Sequence, residues 1–289
     1  MTIRAEKYIN PFTDFGFKKL FGTEVNKDLL MDFLNELICC QDKIKEVKYL
    51  NPEQLGRSED DRRAVFDIYC ETETGETFIV EMQKAKHNFF KDRSVYYASF
   101  PIREQGLRGD WDYCLKAVYT VGILNFVFNE SKDDKEYYHS EVKLMDTKKK
   151  TVFYDKLTFI YLEMPKFNKS IEQLETRFEK WMYVLKNLPR LQELPSQLQE
   201  RIFEKIFSIA EIAKMNKQEI VEYEESLKKY RDLYSVMETA KMEGKMEGKT
   251  EEKIEIAIRL LKKGLSIEDV SDITELPQKQ IEQIKNNSF

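Results

Sequence analysis

Three oxygen-bearing side chains, Asp67, Glu81 and Gln83, stand at spacings that gather them on one face of a β-hairpin. Val65-Phe66-Asp67-Ile68-Tyr69-Cys70 and Phe78-Ile79-Val80-Glu81-Met82 are rich in β-branched and aromatic residues, as strands are. Glu71-Thr72-Glu73-Thr74-Gly75-Glu76 between them reads as a turn, with Gly75 free to take a positive φ. Folding symmetrically about Thr74 sets Asp67 directly across from Glu81, with Cβ atoms roughly 5 Å apart. Gln83 follows on the same face because side chains alternate along a strand. Two carboxylates that close repel unless a cation lies between them. A histidine-free set of oxygen donors suits Mg2+ or Mn2+. The competing reading is a solvated strand face carrying ordinary surface acids.

The flanking sequence supplies the elements to carry this hairpin. Leu29, Leu30, Phe33, Leu34, Leu37 and Ile38 recur at helical spacing, with Asn26 as a cap and Val25 placed to staple onto Leu30. Phe89, Phe90, Arg93, Tyr96, Tyr97 and Phe100 form a second helical stripe, which Pro101 should end or kink. Further strands are expected over 116–128, 141–145 and 158–164. Val118, Val121, Ile123 and Leu124 are apolar enough for a strand covered on both faces. From Ser170 the pattern turns helical, with breaks at Pro189 and Pro195. A stripe of Tyr223, Leu227, Tyr230, Tyr234 and Met237 then suits helix pairing. The order is that of an α/β core with an α-helical C-terminal extension. The expected divisions are a core over 1–165, helices packed on it over 166–235, and a charged repeat helix with a small helical hairpin over 236–289.

Composition narrows the function classes. Hydrophobic residues at 42% allow a sizeable core, whereas a net charge of −5 argues against a broad, non-specific coat on nucleic acid. A local surplus remains possible: Lys84, Lys86, Lys91, Arg93, Arg103, Arg108 and Lys116 face only Asp92, Glu104, Asp110 and Asp112. Cys39, Cys40, Cys70 and Cys114 have no zinc-like spacing, and Cys70 and Cys114 read as small packed hydrophobes. Neither a leader-like apolar stretch nor a run long enough to span a membrane is visible, so a reduced, cytoplasmic setting is expected. Glycine is scarce and no phosphate-cradling loop is present, which disfavours an ATP-driven recombinase. His87 and His139 stand near no candidate nucleophile.

Asn10-Pro11-Phe12-Thr13-Asp14-Phe15-Gly16-Phe17-Lys18-Lys19-Leu20-Phe21-Gly22 resembles the opening motif of the recombination-promoting nuclease and transposase family, within the PD-(D/E)XK nuclease superfamily. Phe66-Asp67-Ile68 is similar to its PD half and Val80-Glu81-Met82-Gln83 to its E-x-Q form of the second half. Residues 159–167 and the Met-Glu-Gly-Lys repeat also match the family's style, so the resemblance covers nearly the whole chain. It implies a restriction-endonuclease-like mixed sheet flanked by helices and a magnesium-dependent DNA endonuclease tied to recombination or transposition. Asp67, Glu81 and the Met82 carbonyl become the implied metal donors.

Gln83 stands where most of the superfamily has lysine, and an amide can orient water but adds no charge. Lys18 and Lys84 are the nearest substitutes. Lys18 is preferred because Lys84 should point away from Gln83 while the strand lasts. Asp14 and Lys18, four apart on a helical turn, read either as an intrahelical ion pair or as a further acidic ligand beside the lysine. Arg93 and Tyr97 share a helix face from which they could touch phosphate. The rival readings are a catalytically weak scaffold that binds DNA or protein through its tail, and an RNA-directed nuclease.

In the tail, Lys241, Lys245, Lys249 and Lys253 form one helical row and Glu243, Glu247, Glu251 and Glu255 a nearly opposite one. Each row repels itself, and Gly244 and Gly248 each cost roughly 1 kcal/mol of helix propensity. Two copies would be complementary, with Ala240, Gly244 and Gly248 allowing close approach and Met242 and Met246 giving apolar contact. A homodimer is therefore expected. Ser266 with Asp269, and Pro277, mark two short terminal helices that suit packing or oligomerisation better than reading DNA.

Overall fold

A computed structural model describes residues 6–38, 43–54, 64–106, 113–131, 133–134 and 136–288. Cys39, Cys40, Arg108, Asp110 and Asp112 lie outside the described residues. The chain divides into two compact units, Met1–Tyr230 and Arg231–Phe289. In chain order the elements are α1 (Asp14–Phe21), α2 (Lys27–Leu37), β1 (Val47–Tyr49), β2 (Glu53–Gln54), β3 (Ala64–Val65), β4 (Ile68–Thr72), β5 (Thr77–Gln83), α3 (Phe90–Gln105), β6 (Val118–Leu124), β7 (His139–Asp146), β8 (Thr151–Glu163), α4 (Arg177–Asn187), α5 (Arg201–Ala210), α6 (Lys217–Lys262), α7 (Ile267–Thr274) and α8 (Gln278–Ser288). Six strands form one sheet in the order β1-β4-β5-β6-β8-β7. The β5, β6 and β8 strands run parallel and the outer pairs are antiparallel, the mixed sheet expected from the sequence.

Strand β5 is the axis of the first unit, and all seven of its residues are buried. Phe78, Val80 and Met82 enter the main core with Phe21, Phe33, Trp181 and Phe203 from the helices on that face. Ile79 packs on the other face against Phe66, Tyr69 and Phe100 of the α3 side. Trp181 is fully buried between Phe33 and Phe203, and its indole N–H donates to Asp32 Oδ1 at 2.7 Å, so no polar atom is stranded there.

The opening motif is a knot of local hydrogen bonds. Thr13 Oγ1 caps α1 by accepting from Gly16 N at 3.0 Å and donates to the Asn10 carbonyl at 2.7 Å. A Cβ on Gly16 would meet that carbonyl at 2.2 Å, so only glycine fits. The start of α6 then clamps the knot, with Tyr223 OH accepting from Asn10 N and Ser226 Oγ from Phe15 N.

Several local expectations need correction. Asn26 makes no capping bond to α2, because its amide instead donates to the Lys19 carbonyl at 2.8 Å; Val25 is 82% exposed and staples nothing. Helix α3 continues through Pro101 to Gln105. Cys70 packs as expected, its thiol pushed up to about 12 by burial, but Cys114 is exposed. Of the tail stripe, Tyr223, Leu227 and Tyr230 pack on the main core, which leaves Tyr234 and Met237 exposed. In the second unit Ala257, Leu261, Val270, Leu276 and Ile281 form a small core, and Ser266 caps α7 as expected.

One buried ion pair went unforeseen. Glu163, fully buried, pairs with Lys166 at 3.1 Å and accepts from Phe128 N at 2.7 Å, while Lys166 donates to the Tyr137 carbonyl. The pair pins the chain after β6 to the end of β8. Lys166→Met strands a buried carboxylate and should cost about 3–5 kcal/mol. Glu163→Gln with Lys166→Met should recover much of that loss, as read from urea unfolding midpoints.

Candidate functional site

Strand β4 begins at Ile68, and Asp67 sits in a bend one residue before the ladder. The pairing of Ile68 with Val80 nonetheless brings Asp67 opposite Glu81, as the symmetric hairpin requires. Gly75 takes φ +92° at the turn. Beyond the last ladder pair, side chains supply the hydrogen bonds that a longer strand would have made. Glu81 Oε1 accepts from Asp67 N at 3.1 Å, and Asp67 Oδ2 accepts from Met82 N at 2.8 Å. Gln83 Nε2 donates to Glu81 Oε2 at 3.0 Å. The Gln83 carbonyl bonds Asn125 N on the β6 side. Adjacent residues of a strand turn their main-chain groups to opposite edges, so the Met82 carbonyl faces the Asp67 edge with its N–H.

Two acids so placed disturb each other's titration. Burial, and next the Asp67 charge, pushes the Glu81 carboxyl up to about 8. Burial raises Asp67 as well, against the lowering bond from Met82 N and the fields of Lys18 and Lys84. The donors are carboxylate and carbonyl oxygens with no histidine, the chemistry of magnesium or manganese. Among the described residues no three His, Cys, Asp or Glu side chains gather into one cluster. Two carboxylates and a carbonyl still fit an ion that keeps several waters and takes only one or two protein carboxylates.

The surroundings bring together most of the residues the sequence singled out. Asp14, Lys18 and Asp67 line one cleft of about 630 Å3, with Lys19, Glu219, Glu222, Glu225 and Lys229 on its walls. A larger cavity of about 730 Å3, lined by Asn10, Asn125, Met164, Lys186 and Tyr230, contains neither Asp67 nor Glu81. Asp14 does not pair with Lys18; its carboxylate holds Lys84 Nζ at 2.6 Å. Lys84 is just past the end of β5 and so escapes the alternation that argued against it. From α3, Arg93 lies over the Tyr97 ring at 5.6 Å, and its charge acts on Glu81. One terminal nitrogen of Arg93 is buried without a hydrogen-bond partner. Tyr97 packs edge-on to Phe66, and burial followed by the Glu81 charge raises its hydroxyl. His87 is exposed; His139 lies on β7 at the far sheet edge, with burial lowering its imidazole.

The family model for PD-(D/E)XK nuclease family transposases matches residues 11–240. The chain belongs to that family, and its mixed sheet is the family's fold. No curated protein and no solved structure matches it.

The raised Glu81 carboxyl fixes the sign of a pH effect. Its ordinary value is 4.5, so the stability it contributes is complete below that value and is lost as pH rises through about 8. Without divalent metal, the melting temperature should fall between about pH 5 and pH 9, and Glu81→Gln should flatten the fall. Asp67→Asn keeps an acceptor for Met82 N and removes the repulsion, so metal-free melts near pH 8 should show it at least as stable as the parent. A large loss would make Asp67 a purely structural residue.

Proposed function

We propose that this member of the PD-(D/E)XK nuclease family is a divalent-metal-dependent DNA endonuclease that serves recombination or transposition. The observation that carries the reading is the Asp67–Glu81 pair, Glu81 buried and Asp67 half-buried at the cleft, whose two charges are costly together without a cation. Asp67, Glu81 and the Met82 carbonyl would hold Mg2+ or Mn2+, which when bound polarises a phosphodiester, offsets its charge and lowers the pKa of an attacking water. Gln83 fixes the Glu81 carboxylate and offers its amide to orient that water. Lys18 supplies the positive charge that Gln83 lacks, and Asp14 of the cleft holds Lys84 in an ion pair. Arg93, whose charge acts on Glu81 and whose guanidinium lies over the Tyr97 ring, would donate to a phosphate oxygen. Five acids and three lysines line the cleft, a balance that favours loading a cation before the polyanion arrives.

Plasmid nicking with and without Mg2+ or Mn2+ tests this. Asp67→Asn and Glu81→Gln should abolish metal-dependent cleavage, and Gln83→Ala should lower it about 10–100-fold as an orienting partner of a ligand. DNA binding without cleavage at any metal concentration would establish the scaffold reading, and cleavage of RNA alone the RNA-directed one.

We infer in addition that the tail makes a homodimer, which would set two such sites on two strands. Helix α6 carries Lys241, Lys245, Lys249 and the glutamate row exposed, whereas Lys253 is half-buried and pairs with Glu275 at 2.6 Å; outside the helix's own backbone nothing lies within 4 Å of a Cβ built on Gly244 or Gly248. A helix with self-repelling rows and two glycines gains most from a complementary partner. Sedimentation should show the full chain as a dimer and a chain ending after Tyr230 as a monomer. Monomeric behaviour of both removes the proposal.

A further inference from the structure

The β7–β8 hairpin leaves the sheet and carries a charge opposite to that of the chain as a whole. Leu157–Glu163 of β8 pair with β6, but Thr151–Lys156 pair with no strand other than β7, and at the base Lys156 Nζ donates to the Leu115 carbonyl at 2.9 Å. That free-standing ribbon is roughly 20 Å long at the ordinary rise per residue. It is not built as a core element: Leu144, Met145, Val152 and Phe153 are exposed by 48, 48, 57 and 80%. Residues 141–156 hold five lysines against Glu141, Asp146 and Asp155, in a protein of net charge −5.

The tip is held open by its own acid. Asp146 Oδ1 accepts from Lys148 N at 2.9 Å and Lys149 N at 3.0 Å, and Lys150 N donates to the Asp146 carbonyl at 2.8 Å. The one carboxylate in the turn is thereby spent on the main chain, while Lys148, Lys149 and Lys150 stand exposed in succession. Lys150 takes φ +57°, which closes the turn.

From these observations we propose that the β7–β8 hairpin is an arm that grips the backbone of duplex DNA, with the three tip lysines on phosphates and Val152 and Met145, paired across the ribbon, against the groove. The proposal rests on the nuclease reading above. A two-stranded ribbon fits the major groove, and the neighbouring cations supply the sequence-independent attraction that the acidic cleft lacks. Glu81, Gly122 and Tyr161 are level across the sheet, so Thr151 lies ten residues, roughly 33 Å, along the strand direction from the metal-site level. That reach is close to one turn of B-DNA. A second copy of the chain on the exposed apolar residues is the rival occupant, and three consecutive lysines oppose three others in such a pairing.

The test is fluorescence anisotropy of a labelled 30-base-pair duplex with the full chain in chelator, so that no cleavage enters. The variant combines Lys148→Ala, Lys149→Ala and Lys150→Asn, since asparagine tolerates the positive φ at 150. Its affinity at physiological salt should fall about 10–100-fold, and the slope of log affinity against log salt should decrease by about 2–3. Unchanged affinity and slope overturn the arm, while metal-dependent nicking by the parent keeps the nuclease reading. Parent protein that nicks plasmid but shows no anisotropy change also overturns the arm alone. Phe153→Asp that dissolves an oligomer in sedimentation without weakening DNA binding assigns the hairpin to self-association instead.

Discussion

The site depends on a ladder that stops one residue early. Ile68 is the first residue of β4, and the next main-chain bonds along the hairpin are made by carboxylates rather than carbonyls. Asp67 takes the N–H of Met82, and Glu81 takes the N–H of Asp67. Each acid is fixed by a main-chain N–H of the other's strand, so moving either one apart to relieve their repulsion breaks a hydrogen bond. A backbone hydrogen bond is modest in net worth, but here a reciprocal pair holds two ionisable groups, one buried and one half-buried, in one arrangement. Charge frustration is built into the fold, and the sheet around it supplies the rigidity.

That rigidity comes from β5, buried on both faces, with the aromatic core on one side and α3 on the other. The two sides contribute different chemistry. The opening motif and α6 bring lysines and acids to the Asp67 edge, and α3 brings a guanidinium to Glu81. The Asn10–Thr13–Gly16 knot shows that the residues most noticeable in the sequence there act first by shaping α1.

The hairpin and its symmetry about Thr74 were legible because turn chemistry and strand composition agree at that point. So was the fold class, from periodicity and order of elements. What remained hidden were choices between competing partners. Asn26 looks like a cap but spends its amide on the carbonyl of Lys19. Asp14 and Lys18 are correctly spaced for a helical ion pair, yet Lys84 reaches Asp14 because β5 ends at Gln83. Alternation is a sound guide only inside a strand, and the sequence does not announce its last residue. Glu163 and Lys166, three apart in an apolar run around Pro165, were a signal for a buried pair that periodicity alone does not weigh. The tail stripe ran straight across the division between the two units, so its spacing was uniform while its burial was not.

The clamp between the opening motif and α6 also bears on how the chain is made. Asn10 meets Tyr223 across 213 residues, and Phe15 meets Ser226 across 211. On a ribosome adding 5–20 residues per second, the second half of each contact arrives roughly 10–40 s after the first. Glu219, Glu222 and Glu225, which wall the Asp67 cleft, are delivered in the same late segment. A nascent chain therefore carries Asp67 without the wall that encloses it, until the segment from Glu219 to Glu225 has been made.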